Sequence, residues 1–339
     1  MSCRGSGNSR SPTRVFRLRS DGAKTAFLFP SGTEKIVVDF TRLRKDGGYR
    51  RGICEDLYRR HFRLALSTDF KRHPDLDEFL LLTASAAETV AMKARPWSKY
   101  QRRLDANETQ MTRVFDGGPE HVDKVIRWWR FLDWLTGAVA PLPLAKQPET
   151  AEKGKSAPLG RRVFIQPFSA VSAKQSPPEL YQRLIEALPN DVQVSITGTD
   201  ADLERNPAYK GLLDHPAVGF DNRTFEAIAP DLRSCNLVVS VDTALMHLAI
   251  AVGAPTLGLA SAAYTGEIVP YAPEITPPNA HFLYRPMPCE GCLGVCVHPL
   301  EAGVFPCIAG LDGGTVVDTA LKLLAGDDVL AVVTVGEPG

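Results

Sequence analysis

Long hydrophobic runs are missing from this sequence, and with them any segment able to cross a bilayer as a helix. Net charge is missing too: 39 Lys and Arg balance 39 Asp and Glu, so no global field argues for nucleic acid as a partner. Aromatics make up only 8% of the residues, and no internal repeat is visible. The first residues hold no hydrophobic leader but a Ser/Arg/Gly-rich stretch, so residues 1–20 are expected to form a disordered tail and the protein to be cytoplasmic. In that compartment its seven cysteines stay reduced unless a metal takes them.

What is present is enough apolar residue, 44%, for two domains of ordinary size. Residues 141–160 carry Pro141, Pro143, Pro148 and Pro158 with no apolar periodicity, and read as a linker between a domain at 21–140 and another at 161–330. The second half alternates short apolar strands (163–165, 192–196, 237–241, 256–259) with helical patterns at 178–188 and 225–232. That alternation is α/β, with a parallel sheet covered on both faces. In the first half, 25–29 and 35–38 read as strands, and 77–92 and 121–135 as helices. The aromatic face of the last helix (Trp128, Trp129, Trp134) suits core packing better than a ligand platform. Between 42 and 103 Arg and Lys are dense, which suits either a solvated face or an anionic acceptor or membrane surface.

Three stretches carry chemistry. After the strand 163–165, the loop 167–174 offers Ser169, Ser172 and Lys174, groups that suit a phosphate, although such a loop is often only a connection. At 237–247 a buried strand runs straight into Asp242-Thr243-Ala244-Leu245-Met246-His247. Asp or Thr there can be a helix cap and nothing more, and His247 a core histidine. Equally, the group can hold a ribose, diphosphate or sugar hydroxyl beyond the carboxyl end of a strand. Third, Cys289, Cys292, Cys296 and Cys307 gather four thiols in one segment, with His298 nearby. They suit a structural zinc or iron site, buried free thiols, or disulfides in an exported protein.

Taken in order, these pieces resemble glycosyltransferase family 9, the ADP-heptose–lipopolysaccharide heptosyltransferases. The resemblance rests on Ser169 and Lys174, Asp242-Thr243 with His247, Ala251, Gly253 and Pro255, then Pro270-Tyr271 and the Cys segment 289–307, and it covers residues 160–325. In its Cys segment the chain is similar to the protein-modifying autotransporter heptosyltransferase branch. The resemblance implies a GT-B architecture: two Rossmann-like domains facing a cleft, the N-terminal one on the acceptor side and short or atypical here. It implies donor binding by Ser169, Lys174, Glu226, Asp242, Thr243, Ala244, Leu245 and His247, with no cofactor for catalysis and a structural Zn or Fe at the Cys cluster.

The implied activity is inverting transfer of a heptose or similar sugar from a nucleoside-diphosphate donor, ADP above all. The acceptor would be a lipopolysaccharide core sugar or a protein hydroxyl, reached at the inner face of the membrane by a protein that forms homo-oligomers. Two features depart from the pattern. Ala244 stands where the family has Gly, and the Gly-Asp motif that supplies the expected base is absent before residue 60, leaving Asp21 and Asp39 as candidates by position. A nucleotide-sugar-binding protein that has lost catalysis, or a metal-stapled assembly module, are the alternatives.

Overall fold

The computed structural model describes residues 14–20, 22–138, 140–146 and 160–335. The chain forms two compact units, 1–117 and 118–339. Residues 118–140, assigned to the first domain by the sequence reading, therefore pack with the second.

The first unit runs β1 (Val15–Arg19), β2 (Glu34–Val38), α1 (Phe40–Lys45), α2 (Gly47–Arg59), β3 (Leu64–Ser67), α3 (Asp77–Thr83), β4 (Glu88–Met92), α4 (Gln101–Glu108) and β5 (Arg113–Phe115). Its strands form two small parallel sheets, β1-β2 and β3-β4-β5, instead of one continuous sheet. Three expectations are corrected here. The tail expected over 1–20 contains strand β1, registered Val15 to Glu34 through Arg19 to Val38. The strand expected at 25–29 is a 3-10 turn, Ala23–Leu28, closed by the Thr25 hydroxyl on the Gly22 carbonyl. The single helix expected over 77–92 breaks at Ser85, whose φ is +45°, and continues as β4, where Val90, Ala91 and Met92 are fully buried. An apolar run of that length satisfies either period, and the sheet takes it because Val90 and Ala91 lie opposite Leu66 and Ser67 of β3.

The second unit opens with α5 (Lys124–Thr136), capped by the Asp123 carboxylate on the Val125 N–H and ended by Gly137 in the left-handed region. After the linker come β6 (Arg162–Gln166), α6 (Pro178–Ala187), β7 (Gln193–Thr197), α7 (Asp200–Arg205), β8 (Val218–Asp221), α8 (Phe225–Ser234), β9 (Leu237–Val241), α9 (Ala244–Ala251), β10 (Thr256–Leu259), β11 (Ala280–Tyr284), α10 (Pro306–Ala309), α11 (Gly313–Ala325) and β12 (Val332–Thr334). The sheet is parallel, in the order β12-β11-β10-β9-β6-β7-β8. All five residues of β9 are buried, as a central strand covered on both faces requires. On one face Val163, Ile165, Val239 and Leu257 meet α6 and α11; on the other Met246, Ile250 and Phe282 form a second core, against which Val125 and Ile126 of α5 pack. That contact explains why α5 sides with this unit. Of the expected linker 141–160, residues 147–159 lie outside the described residues; Leu142 and Ala145 are docked on the same core.

Candidate functional site

The order of the strands decides where the site lies. From β6 the chain steps outward to β7 and β8, then returns across the sheet to lay β9 on the other side of β6. Connections leaving adjacent strands in opposite directions open a crevice at their carboxyl ends, the usual ligand position in open α/β sheets. The loops that leave β6 and β9 carry Lys174 and Asp242.

These two residues form a hydrogen-bonded ion pair, their side chains 10% and 9% exposed, although they are 68 positions apart. Lys174 ends the 3-10 turn Ser172–Lys174 and its ammonium also lies 4.6 Å from the Tyr264 ring centroid. His247, one turn into α9, points Nε2 toward the other Asp242 oxygen at 3.7 Å, while its Nδ1 lies 2.6 Å from the Tyr271 hydroxyl. Burial alone would raise the Asp242 carboxyl. The His247 ring and the Lys174 ammonium outweigh it and hold the group below the ordinary carboxylate range, so it is ionised at neutral pH.

The cap reading of this junction fails. Thr243 sits at the N-cap of α9 in extended backbone, yet its side chain accepts no cap hydrogen bond, and its buried Oγ1 has no partner. The first-turn N–H groups at Ala244, Leu245 and Met246 thus keep the open donor character of a helix start. On the neighbouring strand β10, Leu259 lies opposite Val241, and Ser261 follows two residues later. Ser261 is 1% exposed and its Oγ is likewise unpartnered. Buried hydroxyls without partners are costly unless something else binds them. Together with open N–H groups and a lysine, they make a set of polar groups suited to an anionic, oxygen-rich ligand.

The other expected donor-side residues are placed less centrally. Ser169 is half-buried; its Oγ accepts from the Val171 N–H, and its carbonyl accepts from the Gln175 side chain. Leu245 is buried, so it offers only its N–H. Glu226 is exposed in the first turn of α8, after the edge strand β8 and two strands from β6, apart from the Lys174–Asp242 pair. Tyr264 and the buried Ser261 were missed by sequence reasoning, and no sequence signal marks them; Tyr271 was visible only as part of a family pattern.

In the first unit Asp39 is a helix cap, accepting from the Thr41 and Arg42 N–H groups at 2.8 and 3.0 Å. Asp21 lies outside the described residues. Much of the dense basic charge there is paired: Arg42 with Asp46, Arg59 with Glu55, Arg60 with Glu34 and Asp56, Arg103 with Asp75. Arg72 is buried against Glu78. No helix among the described residues is long and apolar enough to cross a membrane.

Cys289, Cys292, Cys296 and Cys307 line one small cavity with His298, and the described cysteines are all free thiols. No three His, Cys, Asp or Glu among the described residues form a ready metal-ligand set, and the four thiols lie within electrostatic reach of one another around that cavity. Burial, reinforced by the neighbouring cysteines, pushes the Cys289 and Cys307 thiols up. The segment is tied by backbone hydrogen bonds to the loops after β10 and β6. Gly291 and Leu293 donate to the Ala262 and Ala263 carbonyls, and Phe305 donates to Ala173, beside Lys174.

Residues 134–289 match the family model described as glycosyltransferase family 9 (heptosyltransferase). Among solved structures, the family 9 glycosyl transferase from Veillonella parvula aligns with a TM-score of 0.64 at 16% identity, covering 93% of this chain and 89% of that one. The E. coli ADP-heptose LPS heptosyltransferase II aligns at 0.61 and 16% identity, covering 93% and 90%. E. coli heptosyltransferase WaaC with ADP aligns at 0.58 and 18% identity, covering 78% and 82%. At these identities the likeness shows the fold, α/β with parallel sheets as in the GT-B heptosyltransferases. No curated protein sequence matches the chain.

Proposed function

We propose that this family 9 protein is an inverting glycosyltransferase whose second unit binds a nucleoside-diphosphate sugar, ADP-heptose or a close analogue. The reading is carried by the Lys174–Asp242 pair, with His247, at the point where the strand order reverses. Departure of a nucleoside diphosphate leaves charge on phosphate oxygens. An ammonium and open helix-start N–H groups, already oriented in a water-poor crevice, stabilise that charge without a metal. Asp242 would repel a phosphate directly, so its part is to orient Lys174 and to accept from sugar or ribose hydroxyls. The solved relatives named with ADP support the choice of nucleotide. The acceptor is a lipopolysaccharide core sugar or a protein hydroxyl, and the base is an N-terminal carboxylate, Asp21 being the sequence candidate left once Asp39 is recognised as a cap.

Calorimetric titration with ADP, UDP and GDP tests the donor site, and release of ADP from ADP-heptose in the presence of each acceptor class tests transfer. Binding of ADP in preference to the others, with acceptor-dependent release, supports the reading. Failure of all three nucleotides to bind refutes it. The absent Gly-Asp motif favours a second reading, a nucleotide-sugar binder without turnover. Binding with no release on any acceptor, and no effect of Asp21→Asn, would select it.

A further inference from the structure

We infer that Tyr271 is a positioning residue of the donor site: its hydroxyl fixes the His247 imidazole in the Nε2–H tautomer and aims that N–H at Asp242 and the ligand. This inference rests on the donor-site reading above for its functional meaning, but its geometry stands alone. The His247 side chain is 36% exposed, and its one short hydrogen bond is the 2.6 Å contact of Nδ1 with the Tyr271 hydroxyl. The two rings lie nearly parallel, 10° apart at 5.7 Å between centroids, so the contact fixes the ring plane as well as the nitrogen.

The direction of that bond follows from what stands on the other side. Nε2 faces a carboxylate oxygen of Asp242 at 3.7 Å, and an ionised carboxylate only accepts. A lone pair on Nε2 would oppose it, whereas an N–H is attracted. Nδ1 is then the acceptor and Tyr271 the donor, the same logic by which an outer partner sets the tautomer of a metal-binding histidine. Tyr271 is suited to donate: burial, together with the negative charges of Asp123 and Asp242, pushes its phenol up and keeps it protonated.

Tyr271 is itself held from behind. Its ring packs on Phe282 at 5.0 Å. The next N–H, of Ala272, donates to the Asp123 carboxylate at 3.2 Å, and that carboxylate also caps α5 through Val125. Lys124 donates to the Glu267 carbonyl, and the His121 N–H donates to the Glu267 side chain. The segment leading into α5 therefore buttresses the loop 264–276, and through Tyr271 the orientation of His247. This gives residues 118–136 a reason to pack with the donor unit.

The test uses the full-length protein labelled with ¹⁵N-histidine. Long-range ¹H–¹⁵N spectra read the tautomer of His247, assigned by His247→Gln. The parent is expected to show protonated Nε2 and unprotonated Nδ1. In Tyr271→Phe, which keeps the stacked ring, the His247 signals should move toward a tautomer mixture, and ADP affinity should fall roughly tenfold. Unchanged His247 signals in Tyr271→Phe, or an Nδ1-protonated parent, would overturn the inference; the parent spectrum decides the second point even if the variant does not fold. Absence of nucleotide binding by the parent would overturn the donor-site reading, while a changed tautomer in Tyr271→Phe would still uphold the positioning role.

Discussion

Replacing Lys174 by Met separates what the buried pair does for folding from what it does for ligand. Met keeps much of the aliphatic stem and removes the charge. Asp242, 9% exposed at its side chain, is then left ionised without its closest counter-charge, and His247 at 3.7 Å compensates only in part. Breaking a buried pair from one side costs about 3–5 kcal/mol, so a loss near the lower figure is expected at neutral pH. For a unit of this size, that is a drop in Tm of roughly 6–12 °C.

The pH dependence has a definite sign. In the parent the Asp242 carboxyl is held below its ordinary value, so it contributes stability above the unfolded carboxylate range that is lost as pH falls through the folded value. Without Lys174, burial, the largest opposing cause, gains weight, and the gap between parent and variant should narrow as acid protonates Asp242. Adding Asp242→Asn removes the stranded charge and should recover at least half of the lost stability, because removing both partners is far cheaper than removing one. It should not recover ADP binding, which loses a charge-assisted contact of about 1.5–3 kcal/mol, roughly 10- to 150-fold in affinity. Thermal melts from pH 4.5 to 8 and calorimetry on the parent, both singles and the double decide the matter. A double variant that regains ADP affinity would refute the argument, since Lys174 would then act only by neutralising Asp242.

Other expectations follow from the same geometry. Asp39→Ala removes the N-cap of α1 and should cost about 1 kcal/mol in thermal or denaturant unfolding, with ADP affinity unchanged. Arg72→Met takes from the buried Glu78 its nearest counter-charge, leaving it only the Asn107 amide at 2.7 Å, and should lower stability, while Arg72→Met with Glu78→Gln should cost less, a comparison made by urea unfolding. Gly258→Ala places a Cβ 2.7 Å from the Met246 sulfur and 2.9 Å from the Phe282 ring, so overpacking should cost about 1–3 kcal/mol. Since those side chains flank His247 and Tyr271, its ADP affinity should fall as well, which calorimetry would show.

The second unit was legible because its strands are buried on both faces and read as unbroken apolar runs, Leu237–Val241 above all. The first unit was less so. Arg17 and Arg19 disguise β1 as tail, and the apolar residues after Asp77 satisfy a helix and a strand in turn. At the site, each of Lys174, Asp242 and His247 was visible as a candidate, but not that the first two touch. That contact is a property of strand order: only the return of β9 beside β6 joins loops 68 residues apart. Tyr264 ends a three-residue 3-10 turn and Tyr271 lies in irregular backbone, so neither belongs to a run long enough for periodicity to report direction. The thiols were legible by spacing alone. Four cysteines within nineteen residues have little room to separate, and the structure sets them around one cavity.

Ala244 is the remaining departure from the family pattern, and the structure changes what it means. A glycine is required where backbone must adopt a positive φ or where another group comes within reach of a missing Cβ. Residue 244 is not among the positions with positive φ and is the first residue of α9, a conformation in which alanine is the best former of all. Its presence therefore strains nothing. What it alters is the approach: the methyl group stands half-exposed in the first turn, beside the open N–H groups that would meet the diphosphate. The substitution thus bears on ligand distance instead of on the fold. With Lys174 and Asp242 already joined across the crevice, a ligand held slightly farther from the helix start would depend more on the lysine and less on the backbone donors.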